Sequence, residues 1–245
     1  MTESQIAVAG GRFSIAVREE GSGPPLLFLH GISGLHWNAV LDDLGDLVYA
    51  YLDLIDDLAL DDVPIVGHSF GGMIAAELAV TQPQRFSRLV LLAPLGLWDG
   101  SRPIFDFFAS TTYEVAAAFF ADPEGEAAQS AGETGFARMV ELEIGSDEHG
   151  ALVERYVERR KALATAAKYL WPIPNRGLNK RIHRIAAPTR LIWGSQDLVV
   201  PPSYADDFAD AIAGAEIRMI ENAGHELMIE QPGSVAEAIE EFTGA

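Results

Sequence analysis

The sequence has no cysteine, few basic residues and no long apolar run, and each shortage excludes a class of protein. Without cysteine there are no disulfides, no thiol catalysis and no thiolate metal sites. Lys and Arg number 17 against 36 Asp and Glu, and the net charge of −19 disfavours binding to nucleic acid or an anionic membrane. No apolar stretch reaches the ~20 residues that cross a bilayer, and no basic segment followed by an apolar run opens the chain. We therefore expect a soluble, cytoplasmic protein without nucleic-acid or membrane partners.

Motifs for cofactors and metals are lacking as well. Gly21-Ser22-Gly23 leads into a strand pattern rather than a helix, so it does not indicate a phosphate site at a helix N-terminus. The acidic residues from Asp53 to Asp62 lack calcium-loop spacing and are typical of the solvated face of a helix. We expect no cofactor and no bound metal. The sequence does not indicate an oligomeric state.

What the sequence does contain is an alternation of short apolar runs with longer amphipathic stretches. Strands are predicted at 6–8, 13–17, 26–29, 63–66, 89–92, 190–193 and 217–220, and helices at 44–58, 73–80 and 234–242. The continuous apolar run at 26–29 is typical of a strand buried on both faces. Gly10-Gly11 predicts a tight two-residue turn between the first two strands. This order predicts an α/β fold with a mainly parallel sheet flanked by helices.

A long stretch between residues 96 and 187 interrupts the alternation. It has no convincing strand pattern, many aromatic residues and four candidate helices, at 103–109, 113–121, 136–144 and 151–169. We interpret 96–187 as a helical cap inserted into a core domain formed by residues 1–95 and 188–245.

A G-x-S-x-G motif follows the strand at 63–66. In Gly67-His68-Ser69-Phe70-Gly71 the chain has to turn sharply at the serine, and the flanking glycines leave room for the neighbouring backbone. The turn would present the Ser69 hydroxyl at the carboxyl edge of the sheet, with the N-terminus of a helix directed at any developing oxyanion. Ser69 is therefore the candidate nucleophile.

A serine nucleophile needs a base, and the base needs an acid that orients it. Asp197 lies just beyond the strand at 190–193, and His225 lies just beyond the strand at 217–220. The chain order of nucleophile, acid and histidine is the one expected for such a site. Asp99, in the loop after the strand at 89–92, is the rival candidate for the acid.

Two backbone N–H groups are candidates for an oxyanion hole. One belongs to Phe70, directly after the nucleophile, and the other to Ile32, in the loop after the strand at 26–29. His30 is interpreted as a residue that braces this loop. His68 is expected to point away from the cleft.

These motifs resemble the α/β-hydrolase superfamily, in particular its capped, esterase-like bacterial members. The resemblance rests on His30-Gly31, on residues 67–72, on 193–197 with Pro201-Pro202 after it, and on 223–225 with 230–232 after it. It spans almost the whole chain and implies the α/β-hydrolase fold and a serine hydrolase. Because relatives that open epoxides or remove halide have an aspartate nucleophile, Ser69 argues against both reactions.

The sequence departs from the family between Gly31 and Val63. Family members have a further strand and a Gly-rich loop there, whereas this stretch holds only residues 37–41 and the acidic helix, without an apolar strand pattern. One central strand is therefore expected to be absent. Since its loss would cost many buried contacts and backbone hydrogen bonds, we hypothesise that a segment near residues 38–46 of the protein is missing from this sequence.

The resemblance implies acyl transfer from a small or medium apolar, ester-like substrate through an acyl-enzyme. Aromatic side chains of the cap would line an apolar pocket, first among them Trp98, Phe105, Phe108 and Trp171. Specificity would then lie in the cap.

Three alternatives stay open at this stage. A lactonase or a C–C bond hydrolase would use the same three residues. A C–C hydrolase acting on a keto acid would also need a cation for the substrate carboxylate, with candidates at Arg102, Arg138, Arg155 and Arg176. A non-catalytic protein that binds small molecules is possible on the same fold.

Overall fold

The structure is a computed structural model of the whole chain. The residues that it describes are 2–19, 25–31, 44–130, 144, 146–171, 173 and 177–244.

Seven strands form two sheets in the described part of the chain. In chain order they are β1 Thr2–Val8, β2 Phe13–Glu19, β3 Leu27–Leu29, β4 Val63–His68, β5 Phe86–Leu92, β6 Thr189–Gly194 and β7 Glu216–Ile220. β1 and β2 form an antiparallel hairpin, while the other five form a parallel sheet in the order β3-β4-β5-β6-β7. The predicted mainly parallel sheet is therefore confirmed.

Eight α-helices are found among the described residues. They are α1 Leu44–Asp57, α2 Ser69–Thr81, α3 Thr112–Phe119, α4 Glu126–Ser130, α5 Asp147–Leu170, α6 Tyr204–Ala211, α7 Leu227–Glu230 and α8 Pro232–Thr243. The helices predicted in the core domain correspond to α1, α2 and α8. In this part of the chain, every helix is too short or too polar to span a bilayer.

The turn of the hairpin is longer than predicted. Val8 pairs with Phe13, so four residues rather than two form the connection. Ala9, Gly10 and Gly11 all have positive φ, at 52°, 67° and 82°. A two-residue turn accommodates at most two such residues, which explains why the connection is longer.

β3 is less buried than its apolar run predicts. The side chain of Phe28 is 42% exposed, whereas Leu29 is buried. The reason lies in the sheet order: β3 pairs with β4 on one side, and none of the described strands pairs with its other edge. The parallel sheet thus lacks a strand at this position in the described part of the chain, as the sequence led us to expect.

The segment between β5 and β6 (residues 93–188) is helical where it is described, apart from irregular stretches and two short 3₁₀ turns. Two of its predicted helices correspond to α3 and α5, and α4 was not predicted. The predicted helix at 136–144 lies outside the described residues except for Ile144. That the segment acts as a cap stays a prediction.

The helix predicted at 103–109 is wrong, because the chain there is irregular. The Asp106 carboxylate accepts the N–H groups of Phe108 and Ala109, both at 3.1 Å. Such local side-chain bonds satisfy backbone groups outside a helix. In addition, Phe105 N–H donates to Val199 C=O at 3.0 Å, which ties this stretch to the loop after β6.

α2 packs directly on the parallel sheet and is buried along nearly its whole length, including its small residues and its one acidic residue, Glu77. The Glu77 carboxylate is paired with the Arg181 guanidinium by hydrogen bonds of 2.9 and 2.5 Å. Arg181 lies just ahead of β6, at the end of the 93–188 segment. α2 is therefore fixed on one side by the sheet and on another by this ion pair.

Candidate active site

Ser69 lies at the sharp junction between β4 and α2. Its φ is +54°, a strained conformation for a residue with a side chain. A Cβ atom on Gly67 would come within 2.5 Å of the Gly71 carbonyl oxygen, and one on Gly71 would overlap the carbonyl of Leu29. The two glycines therefore permit the close packing of α2 against β3 and β4 that holds the turn in place.

The predicted nucleophile, base and acid meet at the carboxyl edge of the parallel sheet. Ser69 Oγ lies 2.8 Å from His225 Nε2, and His225 Nδ1 lies 2.8 Å from Asp197 Oδ2. One neutral tautomer satisfies both bonds: the serine hydroxyl donates to Nε2, and Nδ1–H donates to the carboxylate. All three residues are buried, with relative exposures of 2%, 1% and 1%.

Asp197 is held by the loop that follows β6. While Oδ2 faces His225, Oδ1 accepts the N–H groups of Val199 at 2.8 Å and Val200 at 2.9 Å. The indole N–H of Trp193 donates to Val200 C=O at 2.9 Å and anchors the loop on the sheet. These bonds place the carboxylate in one orientation.

The loop that carries His225 is bound to both neighbouring parts of the site. Its Ala223 C=O accepts Gln196 N–H at 2.9 Å, which joins it to the loop of Asp197. The His225 C=O lies 2.9 Å from His68 Nε2, which must be the protonated, donating nitrogen because a carbonyl only accepts. His68 therefore contacts the loop of His225; that its side chain points away from the cleft stays a prediction. No pattern in the sequence around His68 signals this contact.

The two buried histidines have opposite pKa shifts. For His225, burial lowers the pKa, but the charge of Asp197, its hydrogen bond and the charge of Glu226 together raise it above the ordinary 6.5. For His68, burial is the largest effect and the pKa is lowered. Neutral His68 therefore neighbours an imidazole, that of His225, whose protonated form is stabilised.

The predicted oxyanion hole is only partly within the described residues. Phe70 is the second residue of α2, so its N–H belongs to the first turn, whose N–H groups have no intrahelical acceptor. Ile32 lies outside the described residues. The oxyanion hole stays a prediction.

Asp99, the rival acid, is engaged elsewhere. Its carboxylate accepts the N–H and hydroxyl of Ser101 at 2.9 and 2.8 Å and the Arg102 Nε–H at 2.8 Å. The bonds from Ser101 and then that from Arg102 lower the pKa of Asp99. The acid that lies against His225 is Asp197.

Of the four arginines considered for a substrate carboxylate, one is fully described. Arg102 donates to Asp99 and, at 2.9 and 3.1 Å, to the carboxylate of Asp207, so acidic side chains already neutralise its charge. Arg138 and Arg176 lie outside the described residues, and the side chain of Arg155 does too.

An aromatic side chain from the 93–188 segment contacts the site, and further aromatic residues lie in the same segment. Phe119 is buried and meets the His225 ring edge-on, with centroids 5.2 Å apart. Phe108 meets Trp171 edge-on at 6.0 Å, and Trp171 is 48% exposed. Phe105 and Trp98 are partly exposed. A role in a substrate pocket stays a prediction for Trp98, Phe105, Phe108 and Trp171.

A metal site would need several ligating side chains close together. In the part of the chain that the structure describes, no three or more His, Asp or Glu side chains are grouped so that they would hold a metal ion.

Comparison with known proteins places the chain in a family. The model of the alpha/beta hydrolase fold family matches residues 40–232. Because this match covers more than half of the sequence, the chain belongs to the alpha/beta hydrolase fold family, as the motifs predicted. A meta-cleavage product hydrolase of Pseudomonas fluorescens has the same fold, with a TM-score of 0.68, 17% identity and coverage of 98% of this chain and 97% of that one.

Two relatives by sequence are informative. An uncharacterized protein of Mycobacterium tuberculosis is 27% identical over 268 residues, covering 93% of this chain and 77% of the relative. That region is longer than the 245 residues of the whole chain, so the relative has residues there without a counterpart here. The human monoacylglycerol lipase ABHD6 is 27% identical over 214 residues; the match covers 82% of this chain but only 62% of the human protein.

Proposed function

We propose that the protein is a serine hydrolase that cleaves a small or medium apolar carboxylic ester through an acyl-enzyme. The observation that carries the proposal is the pair of 2.8 Å hydrogen bonds from Ser69 through His225 to Asp197. A chance meeting of exposed loops would not bury all three residues at one edge of the sheet. The strained backbone at Ser69 supports the same interpretation, since such strain persists where function requires it.

The reaction follows from these contacts. His225 Nε2 accepts the hydroxyl proton while Ser69 Oγ bonds to the ester carbonyl carbon, and the carbonyl oxygen becomes an oxyanion, for which the N–H groups of Phe70 and Ile32 are the donors predicted from the sequence. The C–O bond to the alcohol then breaks, and His225 returns its proton to the leaving oxygen. Water attacks the acyl-enzyme with His225 again as base, which releases the acid and restores Ser69.

Two observations favour an uncharged, apolar substrate. Phe119 lies against the base, and Phe108 and Trp171 lie together in the same segment of the chain. The net charge of −19 repels anions. The relative named a monoacylglycerol lipase also supports an ester of a neutral alcohol.

The C–C bond hydrolase is the second candidate, because a meta-cleavage product hydrolase has this fold. It needs a cation for the substrate carboxylate, and Arg102 is bound to two acidic side chains. Lactonase activity needs no such cation and differs from ester hydrolysis only in the substrate. A non-catalytic binding protein would need the predicted pocket for its ligand but would not need an activated serine.

A fluorophosphonate probe and a substrate screen test the proposal together. We expect rapid, stoichiometric labelling at Ser69 and turnover of p-nitrophenyl esters of short and medium acids. The variant Ser69→Ala should lose labelling and about 10⁴-fold or more in kcat. Ser4→Ala, an exposed serine on β1, is the matched control and should behave like the wild type.

The outcomes separate the candidates. A wild-type protein that resists the probe would contradict every enzymatic interpretation and leave the binding protein. Labelling together with turnover of keto acids or lactones, but not of simple esters, would replace the proposed substrate class.

A further inference from the structure

Glu230, the last residue of α7, joins two separate parts of the molecule. Its Oε1 accepts the N–H of Ala121 at 2.8 Å, and its Oε2 accepts the N–H of Gly224 at 2.6 Å. Ala121 follows the end of α3, in the segment between β5 and β6. Gly224 directly precedes His225. One carboxylate thus bridges the end of α3 and the loop of the base.

The end of α3 touches the same loop in two further ways. Glu226 N–H donates to Phe119 C=O at 3.0 Å, and the Phe119 ring lies against the His225 ring. A Cβ atom on Gly224 would come within 2.7 Å of the Phe119 carbonyl oxygen, so the two backbones are in direct contact. The backbone on both sides of His225, at Gly224 and at Glu226, is therefore in contact with the end of α3.

The chemistry of the bridge requires a carboxylate. Both of its partners are donors, and an ionised carboxylate presents two accepting oxygens, whereas an amide presents one acceptor and one donor group. Hydrogen bonds to a charged acceptor are also the stronger kind. Because Gly224 is buried, its N–H would have no replacement partner from water if the carboxylate were lost.

We propose that Glu230 is a positioning residue that sets the place of His225 relative to Ser69 by fixing the His225 loop to the end of α3. The inference rests on the proposed function, since it assigns His225 the role of base. It adds a residue that touches neither the serine nor the substrate and acts through the main chain of the base.

The test is Glu230→Gln, which keeps size and shape but accepts only one of the two N–H groups. The matched control is Glu221→Gln, an exposed carboxylate in the same connection after β7. For Glu230→Gln we expect kcat for a p-nitrophenyl ester and the rate of fluorophosphonate labelling to fall together, by about 10- to 100-fold. KM should change by less than about threefold, because a positioning residue acts on the reaction of Ser69 rather than on substrate binding. Glu221→Gln should match the wild type.

A spectroscopic readout is independent of activity. The proton on His225 Nδ1, shared with Asp197, should give a low-field proton resonance in the wild type that shifts or broadens in Glu230→Gln and not in Glu221→Gln. If the wild type resists the probe, the proposed function fails, and this resonance still decides the role of Glu230.

Three results would overturn the positioning role. The first is a folded Glu230→Gln protein with wild-type labelling and an unchanged resonance. The second is a rise in KM alone, which would assign Glu230 to substrate binding. The third is a Glu230→Gln protein and a Glu230→Asp protein that both fail to fold, which would assign the residue to folding.

Discussion

The two oxygens of the Asp197 carboxylate bind different partners. One is held by the backbone of Val199 and Val200, and the other lies against His225. A carboxylate that is fixed in this way orients the imidazole and selects the tautomer with Nε2 free to accept the serine proton. It also raises the pKa of His225, which sets the acid limit of the proposed reaction.

The pH profile tests this pair. His225 must be neutral to accept a proton, so kcat/KM should fall as the pH drops through its pKa, with a midpoint above 6.5. In Asp197→Asn the charge that raises the pKa is gone, so we expect a lower midpoint and a loss of about 10⁴-fold in kcat at neutral pH. The measurement is kcat/KM for a neutral ester across the acid, neutral and mildly alkaline range.

A control variant at Asp99 tests whether Asp197 is correctly assigned as the acid. Asp99→Asn serves as the control, since that carboxylate binds Ser101 and Arg102 and should leave the profile unchanged. If Asp99→Asn moved the midpoint and Asp197→Asn did not, the acid would be misassigned.

The contact between α2 and β3 shows how an element fixes a single side chain. Gly71 packs against the carbonyl of Leu29, and no shift of a flexible side chain would make room for a methyl group there. Gly71→Ala should therefore destabilise the fold by about 1–3 kcal/mol and displace Ser69. At Gly150, in α5, an added methyl group would have no atom of the described residues within 4 Å apart from its chain neighbours and the backbone of its own helix, so Gly150→Ala should stabilise by about 0.5–1 kcal/mol.

Urea unfolding of both variants measures whether each substitution lowers or raises the free energy of unfolding. Equal effects of Gly71→Ala and Gly150→Ala would mean that the close approach of α2 to β3 is not needed for stability.

Helices and strands with a buried face could be predicted from the sequence, because a buried face leaves a periodic pattern of apolar residues. The core helices and most strands were predicted to within a few residues of their ends. The sequence also indicated that Ser69, Asp197 and His225 lie close together, because each follows a strand that ends at the same edge of the sheet; their catalytic roles stay a prediction. The predicted helix at 103–109 failed because Asp106 satisfies backbone groups outside a helix. The contacts of His68 and Glu230 join residues distant in sequence, and such pairs leave no periodic pattern.

At the scale of the whole molecule, the net charge of −19 acts on charged molecules that approach the protein. Long-range repulsion lowers the association rate of an anion and is screened by salt, whereas a neutral ester is unaffected. We expect kcat/KM for a neutral ester to stay constant between low and moderate ionic strength, and any turnover of a keto acid to rise with salt. A keto acid turned over faster at low salt would indicate a local cationic site.

The unpaired edge of β3 in the described part of the sheet leads to a prediction about the mass of the whole protein. Phe28 is exposed there, and the M. tuberculosis relative has residues in the matched region that this chain lacks. We predict an intact mass for the purified protein above 26.4 kDa, as the hypothesis of a missing segment near 38–46 requires. A mass of 26.4 kDa would contradict that hypothesis.

The loop of His225 is bonded to four partners at once: the loop of Asp197, the ring of His68, the end of α3 and the carboxylate of Glu230. A loop tied in this way has no low-energy local opening of its own. We expect its amide hydrogens at Gly224 and Glu226 to exchange with solvent only when the surrounding core opens, which hydrogen exchange measures. Heat inactivation and global unfolding should then coincide in temperature.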